Sequence, residues 1–398
     1  MLIRKAFKYR LYPTPKQEQT LLFVLRRCRH LYNSGLEERK ASYQMRRKSL
    51  GYSQQAAELA DIKAAFPAYQ NIYSQVLQDV LRRLDKAFAA FFRRLRNGEK
   101  PGYPRFQGQG RYDSFTYPQS GFALAGWPGP GKERYACLSL SKIGDLKVRL
   151  HRPLVGQVKT CTIKRDVNHW YVTFSGVVEE EPLPPCEEAV GIDLGLLHFA
   201  TLSTGETIEN PRLYRKGQKR LKVLQQAKDR KKRGSRRRRR AALALAKAHR
   251  KVRNQRKDFH HKAARSLVNR YGLIVFEDLH IMNMNKAPEP KPDPEHEGAY
   301  LPNGASAKAG LNQSILDAGW GQFQQFCVAK AESAGRRVLF VDPYNTSQLC
   351  SQCGAVVHKT LDQRWHSCEC GAELDRDHNS ARTILFRGQE VAHRLTGL

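Results

Sequence analysis

The sequence lacks any apolar run that approaches the roughly 20 residues of a membrane span. Its opening residues, MLIRK, also lack the apolar stretch of a secretory signal peptide. Acidic residues are scarce, with 37 Asp and Glu against 69 Lys and Arg, and the formal net charge is +32. The first two absences argue against a membrane-embedded or exported protein. The third predicts a polyanionic partner.

The excess of positive charge is the strongest compositional signal. A chain of 398 residues is long enough for two or three domains with hydrophobic cores. So many like charges destabilise a compact fold unless a polyanion neutralises them, and nucleic acid is the obvious candidate. A basic protein that binds ribosomal RNA or a membrane surface without catalysing a reaction has the same composition. Charge alone therefore does not indicate an activity.

The N-terminal half combines strand and helix patterns. Residues 3–12 alternate between apolar and basic side chains, which is typical of a half-buried strand. Thr14 and Gln17 have the spacing of a capping box, so a helix is expected to begin between them. A second helix is predicted over residues 71–96.

Short strands follow this second helix, over residues 136–140, 145–150, 159–165 and 170–177. The strand at residues 3–12 is expected to join them in one sheet. The N-terminal half is therefore interpreted as a small β-barrel, residues 1–12 and 101–183, with a helical insert at residues 13–100.

The C-terminal half begins with a predicted apolar strand at residues 190–194 and its hairpin partner at 199–202. Residues 212–270 hold 25 Lys or Arg, two Asp and no Glu, and their apolar positions favour two long helices over a disordered tail. Five consecutive arginines in this region are expected to contact nucleic-acid phosphates. They are Arg236, Arg237, Arg238, Arg239 and Arg240.

The remaining elements are a strand, a long loop, a helix, a second strand and a final helix. They are predicted at residues 273–276, 286–310, 314–334 and 337–341, and from about residue 377.

Three acidic residues stand out by their positions. Asp193 ends the strand at 190–194, Glu277 follows the strand at 273–276, and Asp377 lies where the last helix begins. Carboxylates brought together from such positions suit a hard divalent cation, and two such ions can act on a phosphodiester. Each acid alone is more often a turn or cap residue, and spacing does not separate these three from their neighbours Asp278 and Asp375.

Four cysteines form two pairs near the C-terminus: Cys350 with Cys353, and Cys368 with Cys370. A glycine follows each pair, and four thiolates suit tetrahedral zinc. The second pair is shortened to Cys-x-Cys, which leaves His366 open as a substitute for Cys368.

Several short segments form a recognisable set: GIDLG at 191–195, FEDL at 276–279, DAGWG at 317–321, the two cysteine pairs and DRDHNSA at 375–381. In these segments the chain resembles the TnpB family of transposon-encoded nucleases. The resemblance extends over nearly the whole chain and selects Glu277 and Asp377 as the family's catalytic acids beside Asp193. Ser380, Arg382 and Thr383 depart from the family pattern, but no metal contact is expected from them.

The resemblance implies an α+β multidomain protein. The barrel and insert would form a wedge-like domain with a recognition module. Residues 184–345 and 373–398 would form an RNase H-like RuvC nuclease domain, and residues 346–372 a zinc ribbon inserted in it.

The implied activity is RNA-guided cleavage of double-stranded DNA beside a short flanking motif, with Mg²⁺ or Mn²⁺ at the acids and Zn²⁺ at the cysteines. The implied partners are a transposon-derived guide RNA and target DNA. A monomer in the prokaryotic cytoplasm, associated with the nucleoid, is expected. Tyr52 and Gln78 are candidate readers of the flanking motif, in a region that extends to Gln55. A transposase acting on its own element ends and a non-catalytic repressor remain alternative hypotheses.

Overall fold

The computed structural model describes residues 1–126, 134–296, 298–360 and 362–396. The chain divides into two compact units, each of which combines helices with a sheet. Residues 2–179 form the N-terminal unit, and residues from 180 onwards, together with Met1, form the C-terminal unit. In the described part of the chain, no helix is both long and apolar enough to span a membrane.

The N-terminal unit contains a seven-stranded sheet in which all neighbours are antiparallel. Its strands are β1 (Leu2–Tyr12), β2 (Ser114–Tyr117), β3 (Phe122–Gly126), β4 (Tyr135–Leu140), β5 (Gly144–Arg149), β6 (Gln157–Asp166) and β7 (His169–Glu179). The order is β2-β6-β7-β1-β5-β4-β3, so the N-terminal strand joins the sheet as predicted. The expected barrel is confirmed only in part: among the described residues the sheet is curled into a half-barrel, with the short strands β2 and β3 at its two edges.

Four α-helices and one short 3₁₀ helix (Pro67–Tyr69) separate β1 from β2. The α-helices are α1 (Pro15–Arg46), α2 (Tyr52–Ala57), α3 (Leu59–Ala65) and α4 (Ser74–Arg96). The predicted capping box at the start of α1 is confirmed: Gln17 N donates to Thr14 Oγ1 at 3.3 Å, and Thr14 N donates to Gln17 Oε1 at 2.9 Å. The apolar side chains of the sheet and of these helices share one core, so the helices pack on the sheet instead of forming a separate body.

The C-terminal unit contains a mixed five-stranded sheet and two small hairpins. The strands are β8 (Ala189–Asp193), β9 (His198–Leu202), β10 (Thr207–Glu209), β11 (Leu273–Glu277), β12 (Lys291–Pro292), β13 (Tyr300–Leu301), β14 (Arg337–Val341), β15 (Trp365–Ser367) and β16 (Glu373–Asp375). The main sheet has the order β10-β9-β8-β11-β14. The first three strands are antiparallel, whereas β11 runs parallel to both β8 and β14.

The helices of this unit are α5 (Leu213–Asp229), α6 (Arg236–Arg270), α7 (Ile281–Met284), α8 (Ala305–Ala318), α9 (Trp320–Ala334) and α10 (Arg376–Thr396). The prediction of two long basic helices in residues 212–270 is confirmed. The prediction of one helix at 314–334 is wrong, because Gly319 has a left-handed φ of +69° and ends α8 before α9 begins. Part of the expected loop at 286–310 forms the hairpin of β12 and β13 and the start of α8.

Close backbone packing fixes α10 against the main sheet. A Cβ added to Gly191 of β8 would lie 2.1 Å from the carbonyl oxygen of Ala381 in α10. A Cβ on Gly388 of α10 would lie 2.3 Å from a methyl group of Val275 in β11. Both positions therefore exclude any side chain. This packing sets the start of α10 near the carboxyl ends of β8 and β11.

Candidate functional site

Three carboxylates line one cavity of about 450 Å³ in the C-terminal unit. Asp193 is the last residue of β8, Glu277 is the last residue of β11, and Asp377 lies in the first turn of α10. Because β8 and β11 are parallel neighbours, their carboxyl ends meet at one edge of the sheet. The structure thus brings together the three acids that the sequence singled out.

The electrostatics of this cavity are those of crowded negative charge. Burial raises the pKa of Asp193 well above its ordinary value, and repulsion from Glu277 and Asp377 raises it further, against the opposing effect of Arg376. Burial also raises the pKa of Glu277, whereas a hydrogen bond from Thr346 acts to lower it. A multivalent cation would relieve this repulsion, and carboxylate oxygens are its preferred ligands. The donor chemistry of these residues therefore suits a hard divalent metal, although their carboxylate oxygens do not all lie within 4.8 Å of one another.

The two neighbouring acids that sequence spacing could not exclude have other positions. Asp375 Oδ1 accepts hydrogen bonds from Asp377 N at 2.8 Å and from His378 N at 3.2 Å, so Asp375 caps α10. Asp278 is exposed and does not line the cavity. Asp377 and Glu277 are thus the better placed members of each pair.

Three cations also line this cavity: Lys359, Arg364 and Arg376. Lys359 Nζ donates to the carbonyl of Ser347 at 2.9 Å, and Arg376 Nη1 donates to that of Gln363 at 3.0 Å. Sequence reasoning missed these cations because Lys359 and Arg364 lie in irregular segments with no periodicity, and the position of Arg376 as the first residue of α10 does not by itself indicate a role. Their one available signal was their position between the cysteine pairs or beside Asp377.

Ser380 lines the cavity as well, although no contribution to the metal site was expected from it. Its hydroxyl donates to the carbonyl of Arg376 at 3.0 Å, one helical turn earlier. Ser380 therefore supports the backbone at the start of α10, where both Arg376 and Asp377 lie.

The four cysteines form a compact cluster. Cys350 Sγ lies 3.6 Å from Cys370 Sγ, and Cys353 Sγ lies 3.6 Å from Cys368 Sγ. All four sulfurs lie within 4.8 Å of one another, and in the described part of the chain no other group of three or more His, Cys, Asp or Glu meets that limit. Zinc bonds of about 2.3 Å in a tetrahedron would place the sulfurs about 3.8 Å apart. The cluster therefore fits zinc.

The shortened second pair forms a knuckle comparable to the first. Gly354 N donates to Cys350 O, and Gly371 N donates to Cys368 O, both at 2.9 Å. Both glycines have positive φ, +77° and +88°, which the turns require. His366 is buried near the cluster but is not one of its four members. The turn at the Cys-x-Cys pair is thus one residue shorter than the turn at the Cys-x-x-Cys pair, and it still brings both of its sulfurs into the cluster.

The pKa of the Cys350 thiol is lower than that of an ordinary cysteine. Burial raises its pKa, but hydrogen bonds from the backbone N–H groups of Cys353 and Gln352, together with His366, outweigh burial and lower the pKa to about 6. The thiolate is the form that binds metal.

The arginine run lies at the start of α6, where Ser235 caps the helix by accepting from Arg238 N at 3.1 Å. Four of the five arginines are exposed, but Arg238 is engaged within the chain. Its Nη1 donates to the carbonyls of Lys228 and Lys231 at 3.0 and 2.9 Å. Arg238 thus joins the end of α5 to α6, a structural role that the sequence did not reveal.

The candidate motif readers lie in the N-terminal unit. Tyr52 begins α2, and the guanidinium of Arg82 lies 5.1 Å from its ring centre. Gln78 lies on α4 one turn before Arg82, so both share a face of that helix. Gln55, which ends the candidate region, is buried and bonded to Arg39, Gly35 and Glu38, so its side chain is not available to contact a base.

Comparisons with known proteins agree with this architecture. The profile of a family described as "Probable transposase" (OrfB_IS605) matches residues 171–287. A second, described as "Cas12f1-like, TNB domain", matches residues 320–384, which span α9 to the start of α10. A third, described as "Helix-turn-helix domain", matches residues 1–48, which fold here as β1 and α1.

Two relatives match almost the whole chain. The "Putative RNA-guided DNA endonuclease" of Streptomyces pristinaespiralis is 33% identical over 395 residues, covering 97% of this chain and 90% of that protein. The "Putative RNA-guided DNA endonuclease InsQ" of Escherichia coli (strain K12) is 31% identical over 394 residues, covering 97% and 93%. The cryo-EM structure of a Cas12f1–sgRNA–target DNA complex aligns over 96% of this chain and 98% of that chain, with a TM-score of 0.55 and 12% identity, which shows a shared fold. By its full-length likeness to these relatives, the chain belongs to the TnpB (OrfB_IS605) family.

Proposed function

We propose that this protein is an RNA-guided DNA endonuclease that hydrolyses phosphodiesters in the cavity lined by Asp193, Glu277 and Asp377. The observation that carries the proposal is the convergence of these acids from two parallel strands and one helix start. The relatives that match the whole chain bear names that describe the same activity.

The three carboxylates would hold Mg²⁺ or Mn²⁺. The bound ions would activate the attacking water and offset the charge that develops on the leaving oxygen. The sheet order β10-β9-β8-β11-β14, with its antiparallel and parallel halves, supports an RNase H-like RuvC domain. We assign this domain to residues 184–345 and 373–398.

The chain's own groups prepare the cavity for a phosphate. Lys359, Arg364 and Arg376 would attract the nucleic-acid backbone into a site whose acids would otherwise repel it. Since Lys359 and Arg376 are each held by a backbone carbonyl, their charges are positioned before substrate arrives. Thr346 fixes one oxygen of Glu277 and so orients that carboxylate.

The cysteine cluster would hold a structural zinc ion in a ribbon formed by residues 346–372. Four thiolates leave no open position on the metal, which argues against a catalytic role for it. Its contribution would be to fix the segments that carry Lys359 and Arg364 at the wall of the acid cavity.

The N-terminal unit would recognise nucleic acid. We assign residues 1–12 and 101–183 to a wedge-like domain and residues 13–100 to a recognition module. A guide RNA would supply sequence specificity by base pairing, while the protein would hold backbone geometry and read a short flanking motif. The net charge of +32 suits a protein that neutralises RNA and DNA together.

The test is programmed cleavage. The protein is purified after expression beside its flanking DNA, its bound RNA is sequenced, and the guide part is rewritten to match a plasmid. We expect Mg²⁺-dependent cutting of the plasmid only when guide and target match. Cutting that ignores the guide would contradict the proposal, and products joined to element ends would indicate a transposase instead.

A further inference from the structure

Aromatic rings are exposed at the C-terminal end of α4 in the N-terminal unit. Phe92 is 50% exposed, and the centre of its ring lies 5.2 Å from that of Phe91. Tyr103, which is 47% exposed, lies 5.4 Å from Phe91 and 5.6 Å from Phe88. These four neighbouring rings form one surface, which we name the aromatic platform: Phe88, Phe91, Phe92 and Tyr103.

The aromatic platform lines a cavity of about 730 Å³ together with the end of α1 and the segment before α2. Arg39 of α1 also lines it, and its guanidinium lies 5.2 Å from the ring centre of Phe88. Gln55 and Asp85 accept from Arg39 Nε and Nη1 at 2.8 and 3.1 Å. The cavity wall is thus held in place before any ligand binds, and the volume is that of a small-molecule pocket.

Exposed cations lie on the helix ends that line this cavity, and the guanidinium of Arg47 lies 5.6 Å from the ring centre of Tyr43, one of the lining residues. The last turn of α4 and the end of α1, which both contribute residues to the cavity, carry Arg93, Arg94, Arg96, Arg46, Arg47 and Lys48. Two acids on these segments are paired with cations: Asp85 with Arg39 at 3.1 Å, and Glu99 with Arg94 at 4.0 Å. The cavity therefore combines aromatic walls with a positive rim.

The aromatic walls and the positive rim together decide between two possible occupants of the cavity, a second copy of the chain and a nucleotide. A second copy of the chain would bring a rim of the same charge to the interface, and such repulsion disfavours self-association. An unpaired nucleotide offers a flat base for the rings and a phosphate for the rim, as in sites that bind single-stranded nucleic acid. Charge complementarity thus favours a nucleotide.

We propose that the aromatic platform binds an unpaired nucleotide of the guide RNA by stacking. The inference rests on the proposed function, since it requires a bound RNA. RNA is favoured over DNA because a folded RNA presents unpaired bases in its loops and bulges permanently. In target DNA, unpaired bases arise only while the duplex is open.

The test compares single variants for binding the RNA that copurifies with the protein, remade by transcription. Phe92→Ala is expected to weaken binding about tenfold, which is the effect of losing one stacked base. Phe92→Trp should bind as tightly as the wild type because it keeps an aromatic ring. Phe92→Leu should bind as weakly as Phe92→Ala, because leucine keeps apolar surface but has no ring. The salt dependence should stay unchanged, since no cation is removed. Phe66→Ala is the matched control: Phe66 is 61% exposed in the same unit and lies outside the platform.

A second measurement identifies the occupant. A short oligothymidylate with one 2-aminopurine should be quenched by the RNA-free wild type but not by Phe92→Ala or Tyr103→Leu. The wild type already loaded with its RNA should not quench the probe, because the guide RNA then occupies the platform. Full quenching by the RNA-loaded wild type would overturn the assignment to RNA. A wild-type dimer that Phe92→Ala dissociates and Phe92→Leu preserves would overturn the nucleotide assignment.

The proposed function and the assignment of the aromatic platform can fail separately. If the wild-type chain binds no RNA, the proposed function fails. If it binds RNA and Phe92→Ala binds equally well, the aromatic platform alone is wrongly assigned.

Discussion

The hydroxyl of Thr346 donates a hydrogen bond to the carboxylate of Glu277. Thr346 is buried, and its hydroxyl oxygen also lies 3.1 Å from the carbonyl oxygen of Pro343. It lies just before the first cysteine pair, so the segment that leads into the cysteine cluster is bonded directly to one of the three acids. The conformation of this segment and the orientation of Glu277 are therefore coupled.

Thr346→Val is expected to lower the cleavage rate about 10–100-fold, the usual effect of losing a group that orients a metal ligand. Binding of guide and target should persist, because phosphate contacts dominate affinity. Single-turnover cleavage and equilibrium binding would be measured together. Thr346→Ser keeps the hydroxyl and should cut at close to the wild-type rate; equal loss in both variants would contradict the positioning role.

Asp193→Ala is expected to abolish cleavage without loss of DNA binding, because the carboxylate is needed for bond breaking and contributes nothing to phosphate affinity. Asp278→Ala is the matched control, since Asp278 follows Glu277 directly but is exposed outside the cavity. Plasmid cleavage in Mg²⁺ would be compared for both. Residual cutting by Asp193→Ala at the wild-type rate would remove this acid from the site.

Much of the acid site could be predicted from local sequence. Asp193 and Glu277 each end a short apolar run, and such runs identify strands without tertiary information. The choice of Asp377 over Asp375 depends on cap geometry, because both side chains lie within one turn of the helix start. Lys359 and Arg364 reach the cavity through irregular segments, whose paths no local periodicity determines.

The errors in the predicted fold have the same origin. Apolar side chains continue through residues 314–334, so their periodicity favours one helix, but Gly319 adopts a left-handed φ, and the ring of His260 donates a hydrogen bond to the carbonyl of Ala318 at 2.9 Å. That contact is between α6 and the junction of α8 and α9, which are distant in sequence. Strands β2 and β3 were missed because they are short and lie in a segment rich in glycine and proline.

Elemental analysis is expected to find about one zinc per chain. Cys368→Ser should lower both this content and the melting temperature, since binding of a structural metal contributes to folding free energy. His366→Gln should retain the zinc, because the four sulfurs alone form the cluster. If His366→Gln loses the zinc and Cys368→Ser retains it, then His366 is the ligand and Cys368 is not.

The arginine run offers an internal comparison. Arg237→Gln is expected to lower the slope of log K against log salt by about 0.7–0.9, whatever the nucleic-acid sequence, because one phosphate contact is lost. Arg238→Gln should instead destabilise the chain with little change in slope, since Arg238 bonds to Lys228 and Lys231. Thermal unfolding and binding at several salt concentrations would separate them. A changed sequence preference in Arg237→Gln would show base contact instead.

Gln78 is predicted to read a base of the DNA motif that flanks the target. It shares a face of α4 with Arg82, whose guanidinium lies over Tyr52, so three side chains able to contact DNA meet at one surface. Gln can bind adenine through two hydrogen bonds, and Arg can bind guanine in the same way. With a library of randomised flanking sequences, Gln78→Ala should therefore cut a broader set than the wild type. Gln70→Ala, an exposed glutamine of the same unit, should cut the wild-type set. If Gln78→Ala depletes the same sequences as the wild type and changes only the rate, Gln78 contacts no base.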